Sequence, residues 1–135
     1  MRTLYPLWKQ SLIDGSANVQ LNGAVQAALV NRLPRGYVYS AAHQFYSSVQ
    51  PFVVSSPQSL SNMTYVNGLF AANPTLNFPS VPQGASVDAI VVFIATGVAA
   101  ASRLVLYLDD ANGLPLVPDG GDETITWDTA GIFQL

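Results

Sequence analysis

Two stretches of the chain leave little choice about its architecture. Residues 87–95 contain Ala89-Ile90-Val91-Val92-Phe93-Ile94-Ala95, and residues 103–109 contain Leu104-Val105-Leu106-Tyr107-Leu108. A strand points successive side chains to opposite faces, so an apolar run without alternation has to be buried on both faces. The link between them, Thr96 to Ser102, is built from small residues. The two stretches are therefore expected as neighbouring central strands of one sheet.

The remaining elements follow from local signals. Pro6 suits the first turn of a helix, where its missing N–H is not needed, and Leu7, Trp8, Leu12 and Ile13 recur at near-helical spacing until Asp14-Gly15. This predicts an amphipathic helix over residues 6–14. Ala24 to Asn31, bounded by Gly23 and by Pro34 with Gly36, reads as the first strand. Tyr37 to Tyr39 look extended, and Ser40 is placed to cap a helical turn over 41–48 with Ala42, Phe45 and Tyr46 inward. Phe52-Val53-Val54 forms a short apolar piece after Pro51. Residues 62–66 then lead into Asn67-Gly68, a pair suited to the positive φ angles of a tight hairpin, with 69–72 returning antiparallel. Asn112-Gly113, Pro115, Pro118 and Gly120-Gly121 mark a loop; Glu123 to Trp127 and Gly131 to Leu135 alternate as the last strands.

About seven short strands with turn signals between them and no βαβ order predict a mainly β fold. The expected form is an antiparallel β-sandwich or open barrel with a short N-terminal helix, a single domain over residues 1–135.

Composition bears on what such a domain does. Half of the residues are hydrophobic and only 10% are charged, against roughly 25% in ordinary soluble proteins. Too few charges remain to cover a normal monomer surface, which points to surface intended for a partner. Five basic against eight acidic residues, with Lys9 the only lysine, argue against direct nucleic-acid binding, since neutralising phosphates needs a clustered basic face. With no cysteine, thiolate metal sites, disulfides and cysteine catalysis are excluded. The first ten residues lack the apolar stretch of a signal peptide, and the seven-residue run Ala89–Ala95 is far below the roughly 20 residues of a membrane helix. No membrane association is expected.

Catalytic chemistry finds weak footing. His43 is the only histidine, so a Ser-His-Asp mechanism would have to use it with Ser40 or Ser47 and with Asp88, Asp109 or Asp110. There is no Gly-x-Ser-x-Gly elbow. The reading preferred here is a packed imidazole beside Phe45 or Tyr46, with one nitrogen hydrogen-bonded. Asp109, Asp110, Asp119, Asp122 and Glu123 lie among Gly and Pro residues that could wrap a hard cation, but Asp109-Asp110-Ala111-Asn112-Gly113 lacks the alternating ligand spacing of an EF-hand loop. Turn chemistry accounts for these acids, and no metal or cofactor is expected. A sugar-binding role for Trp8, Trp127 and the tyrosines is a minor alternative, since nothing fixes two acids across a cleft.

Several short motifs, in order along the chain, resemble a family of small virion proteins of tailed bacteriophages found among head and tail genes. They are Leu4-Tyr5-Pro6, Ala27-Ala28-Leu29-Val30, Tyr37-Val38-Tyr39-Ser40-Ala41-Ala42-His43-Gln44-Phe45, Val66-Asn67-Gly68-Leu69-Phe70-Ala71-Ala72, Ser102-Arg103-Leu104 with Tyr107 and Asp109, Gly113-Leu114-Pro115 with Pro118, Gly120-Gly121-Asp122, Trp127-Asp128, and Ile132-Phe133 with Leu135. At residues 31–35, where that family often carries an acidic residue, this chain has Asn31-Arg32-Leu33-Pro34-Arg35.

The resemblance implies a non-enzymatic structural component of a virion assembled in the bacterial cytoplasm. Its first-choice role is a capsid decoration or cement protein docking on major capsid subunits, and the alternative is a tail or neck component, an adaptor or fibre-associated subunit. Self-association is possible in either. Aromatic anchors dominate such contacts, so Leu7, Trp8 and Leu12 of the helix, or the Tyr37–Tyr46 segment with Tyr37, Tyr39 and Tyr46, are the expected docking residues. Core packing is the competing role for each.

Overall fold

The computed structural model describes residues 2–31, 36–84, 86–110, 114–127 and 131–134. The loop Arg32 to Arg35, the turn Asn112-Gly113, Asp128 and terminal Leu135, all of which entered the sequence reading, lie outside the described residues.

The two apolar runs do form the centre. Strand β6 (Ala89–Ile94) pairs antiparallel with β7 (Leu104–Leu108), and every residue of both is buried. On the other side of β6 lies β2 (Val25–Val30), in register from Val25 opposite Ile94 to Val30 opposite Ala89. Short strands close the edges, β1 (Arg2–Leu4) against β7 and β3 (Gln58–Ser59) against β2, giving the order β1-β7-β6-β2-β3 with all pairs antiparallel. Short edge strands leave little backbone open to unwanted pairing.

Two further ribbons complete the fold. Strand β4 (Leu69–Phe70) pairs with β9 (Phe133–Gln134), and β5 (Thr75–Phe78) with β8 (Glu123–Thr126). The protein is thus mainly antiparallel β, nine short strands in three sheets among the described residues, with one short N-terminal helix and no closed barrel. Buried residues from all three sheets, including Phe70, Phe78, Ile125, Trp127 and Phe133, belong to one continuous core.

A bulge in β7 explains how the N-terminus is tied in. Val92 faces Leu106 but Phe93 faces Leu104, so Val105 is the extra residue on its strand. A bulge bends its strand and frees a backbone group from the ladder. The freed carbonyl of Val105 accepts the N–H of Tyr5 at 2.9 Å, where the chain passes from β1 into the helix. Helix α1 runs Pro6–Asp14 with Pro at its start and Gly15 ending it in the left-handed region, φ 73°, the termination that glycine makes at no steric cost.

Register also shows what covers one face of the sheet. Val91, Phe93 and Tyr107 share a face because paired residues point the same way. Tyr37 and Tyr39 pack on Tyr107, with ring centroids 6.0 and 5.5 Å away, and Tyr46 stacks on Phe93. The segment from Tyr37 to Phe52 is therefore the lid over this face.

That lid is where the structure departs most from the local signals. The helical turn expected over 41–48 is instead a tight turn at 41–42 followed by a single 3₁₀ turn at Tyr46–Ser48. The cause is tertiary. Gln44 accepts the N–H of Leu104 at 2.9 Å and Tyr46 donates to the Ser102 carbonyl at 2.7 Å, so this backbone is already paired alongside β7 and cannot make a helical ladder. Of the three residues expected inward, Tyr46 is buried, Phe45 half-buried and Ala42 exposed.

Smaller differences have similar origins. The apolar piece Phe52-Val53-Val54 follows from a 3₁₀ turn over Gln50–Phe52 and makes one bridge, Val53 to Val30, and Gln58–Ser59 takes the edge position beside β2. The Asn67-Gly68 hairpin is present, with φ 54° and 77°, and Thr64 and Ala71 exchange both backbone hydrogen bonds at 2.8 and 3.0 Å. Its returning strand then pairs with β9 rather than extending the hairpin.

Candidate docking surface and the tyrosine cluster

Of the six residues expected to dock, three are buried and three half-buried. Trp8 is only 2% exposed; its indole N–H donates to the Val19 carbonyl at 3.0 Å and its ring meets Phe133 edge-on at 5.8 Å. Leu7 and Leu12 are half-buried beside it. Tyr37 and Tyr46 are buried, and Tyr39 is half-buried against Tyr5 and Tyr107. The large aromatic surfaces of Trp8, Tyr37 and Tyr46 therefore pack within the chain itself. A heptad-like apolar spacing marks which side of a helix is buried but not whether a second chain does the burying.

Helix α1 is held to the sheet by Arg103 from β7's leading edge. Its guanidinium donates to Ser11 Oγ and to the Ala17 carbonyl, both at 2.9 Å, and lies over the Phe45 ring at 5.4 Å. Ser11, 4% exposed, in turn donates to the Leu7 carbonyl at 2.8 Å. One cation thus joins the helix, the loop after it and the lid.

Beneath the lid lies a chain of hydroxyl contacts absent from the sequence reading. Tyr5 Oη is 2.7 Å from Tyr37 Oη, which is 2.7 Å from His43 Nδ1. Burial pushes the Tyr5 hydroxyl far above the ordinary phenol range and the Tyr37 hydroxyl up to about 12, because a phenolate there would lose its hydration. Burial also raises Tyr46. The His43 ring packs on Tyr37, centroids 5.2 Å apart, rather than beside Phe45 or Tyr46. Its Nδ1 faces a phenol rather than a serine hydroxyl, while Ser40 Oγ accepts the Ala42 N–H at 3.2 Å.

The acidic turns use their carboxylates to accept hydrogen bonds from the chain itself. Asp119 accepts the Gly121 N–H and Asp122 the Ser80 N–H, each at 3.0 Å, and Asp14 accepts from both the backbone and hydroxyl of Ser16. Arg2 lies 3.7 Å from Asp110. Among the described residues no three acidic or histidine side chains gather as a metal site would require.

What the surface offers instead is apolar. Ile13, Val38, Tyr65, Val66, Val98 and Val117 are between 45% and 89% exposed. Between α1 and the hairpin tip runs a groove of about 360 Å³ lined by Trp8, Leu12, Val19, Leu21 and Tyr65 with Gln20 and Asn22, none of them charged. Tyr65 holds one wall in place by donating its hydroxyl to the Leu21 carbonyl at 2.8 Å. No helix of the described residues is long and apolar enough to cross a membrane. No family model matches the chain, and no curated protein matches it.

Proposed function

We propose that this protein is a structural subunit of a tailed-phage virion that works by docking on neighbouring protein subunits, as a decoration or cement protein on the major capsid subunits. The observation that carries the docking part is the set of exposed apolar side chains, Ile13, Val38, Tyr65, Val66, Val98 and Val117, on a chain with five basic and eight acidic residues. Large apolar side chains exposed on so weakly charged a surface favour a protein neighbour over water. The virion assignment rests on the resemblance of the motifs quoted above to those of small phage head and tail proteins.

Docking of this kind gains strength by repetition. A contact of roughly 800 Å² per partner is modest alone, but a subunit touching several lattice neighbours at once converts later contacts into intramolecular ones. Nothing in this mechanism needs a reacting group.

The decisive measurement is the number of copies in purified particles. Hundreds of copies place the protein on the head, and about a dozen or fewer place it in the tail or neck, following the symmetry of those assemblies. Its absence from particles overturns the reading. For a cement protein, removal leaves shells that rupture at lower temperature and re-addition restores them, since a ligand of the assembled state stabilises that state.

A further inference from the structure

The hydroxyl chain under the lid can be closed in only one direction. Tyr5 is fully buried and Tyr37 is 1% exposed, so neither hydroxyl can turn to water. Tyr5 Oη has Tyr37 Oη as its partner, and Tyr37 Oη has Tyr5 Oη and His43 Nδ1. Two phenol protons must therefore find acceptors within three atoms. They do so only if Tyr5 donates to Tyr37 and Tyr37 donates to His43 Nδ1, which requires a neutral imidazole carrying its proton on Nε2.

We propose that Tyr5, Tyr37 and His43 form an acid-sensitive latch that fastens the lid to the N-terminal junction. When His43 is charged, Nδ1 becomes a donor to Tyr37 Oη. Tyr37 must then turn its proton to Tyr5, or Tyr5 keeps donating and Tyr37 has no acceptor; in both cases one buried hydroxyl proton is left unpaired. An unpaired buried donor carries its full desolvation penalty. Tyr5 is also the residue before Pro6, its carbonyl accepting the N–H of Trp8 and Lys9, so strain at its hydroxyl reaches the start of α1.

The neighbours are compatible with this role. Among the described residues, the titratable group against the His43 ring is Tyr37; behind it stand Tyr5, Tyr39 and Tyr107, and the Tyr107 hydroxyl reaches Asp109 at 3.4 Å. Arg103 sits over Phe45, two residues along the chain from His43. His43 is the only histidine, and its Nδ1 is the one basic nitrogen in the hydroxyl chain.

The test uses the isolated full chain, so it stands apart from any question of particle docking. The melting temperature of the native protein is expected to fall by about 3–5 °C between pH 8 and pH 5.5, the scale of one lost buried hydrogen bond in a domain of this size. Tyr37→Phe cuts the chain and His43→Asn supplies an acceptor that cannot be charged; both should remove that fall. Should either variant fail to fold, nitrogen NMR of His43 in the native protein decides by itself. An Nε2–H tautomer at pH 8, with slowly exchanging hydroxyl protons on Tyr5 and Tyr37 that are lost at pH 5.5, supports the latch. An Nδ1–H tautomer at pH 8, or an equal fall in native protein and both variants, overturns it.

Discussion

Tyr46 lies flat on Phe93, their ring centroids 4.0 Å apart and their planes within 14° of parallel. The contact fastens the lid to the middle of the sheet, and it makes Phe93 a shared support for two layers. Phe93→Ala is expected to cost about 3–5 kcal/mol, and Leu106→Ala, fully buried on the opposite face, about 2–5 kcal/mol. Urea unfolding monitored by circular dichroism measures both. A Phe93→Ala protein of unchanged stability would mean that the lid is not seated on β6.

Trp8 is expected to behave as a core residue. Trp8→Ala should lose about 3–5 kcal/mol through cavity formation, whereas Trp8→Phe keeps a ring against Phe133 but leaves the Val19 carbonyl without its donor, a loss of about 1–2 kcal/mol. If Trp8→Ala instead left stability intact and only weakened attachment to particles, Trp8 would be an anchor to a partner.

The exposed apolar residues should show the reverse pattern. Ile13→Lys and Val66→Lys alter side chains that are 89% and 70% exposed, so stability should move by no more than about 0.5 kcal/mol. Solubility of the isolated chain should rise and binding to stripped particles should weaken. Unaltered binding in a variant carrying both changes would remove Ile13 and Val66 from the docking surface.

Alkaline pH should unfold the protein through its buried phenols. The Tyr5 and Tyr37 hydroxyls are both raised by burial, Tyr37 to about 12, while an unfolded chain releases tyrosine protons near about pH 10. A raised value in the folded state means its contribution is complete below about pH 10 and is lost as pH climbs towards about 12, because the unfolded chain gives up its protons first. The melting temperature should therefore drop over that interval, together with the appearance of tyrosinate absorbance. Tyr5→Phe should be less stable at neutral pH yet lose less over the same interval. A drop of equal size in both proteins would assign the effect to other groups.

Added chelator should leave the melting temperature unchanged, since Asp119 accepts the Gly121 N–H in its own turn and Asp122 accepts the Ser80 N–H from the turn after β5, and a bound cation would stabilise the folded state by mass action. A fall of several degrees, reversed by calcium, would identify a cation site in the late loop.

The elements legible in the sequence were those set by local chemistry. Pro6 and Gly15 bound α1, the unbroken apolar runs of β6 and β7 require burial on both faces, and Asn67-Gly68 provides the two positive φ angles of its turn. Each signal depends on residues close together in the chain, so the mainly antiparallel β class could be read directly. The edge strands β1 and β3 and the ribbon strand β5 carry no such signal, because two to four residues form a strand only when a partner supplies the ladder. The lid shows the same limit: Ser40 and the spacing after it favour a helical turn, but the backbone groups of Leu104 and Ser102 claim Gln44 and Tyr46 first. For the docking residues, sequence separates apolar from polar positions but not inside from outside. Trp8, Tyr37 and Tyr46 went to the core and Ile13, Val38 and Val66 to the surface because only the packed sheet decides which face of a short element is covered. The contacts of Tyr37 with Tyr5 and with His43 join positions 32 and 6 residues apart, and no local pattern encodes a hydrogen bond that exists only once the lid has closed on the sheet.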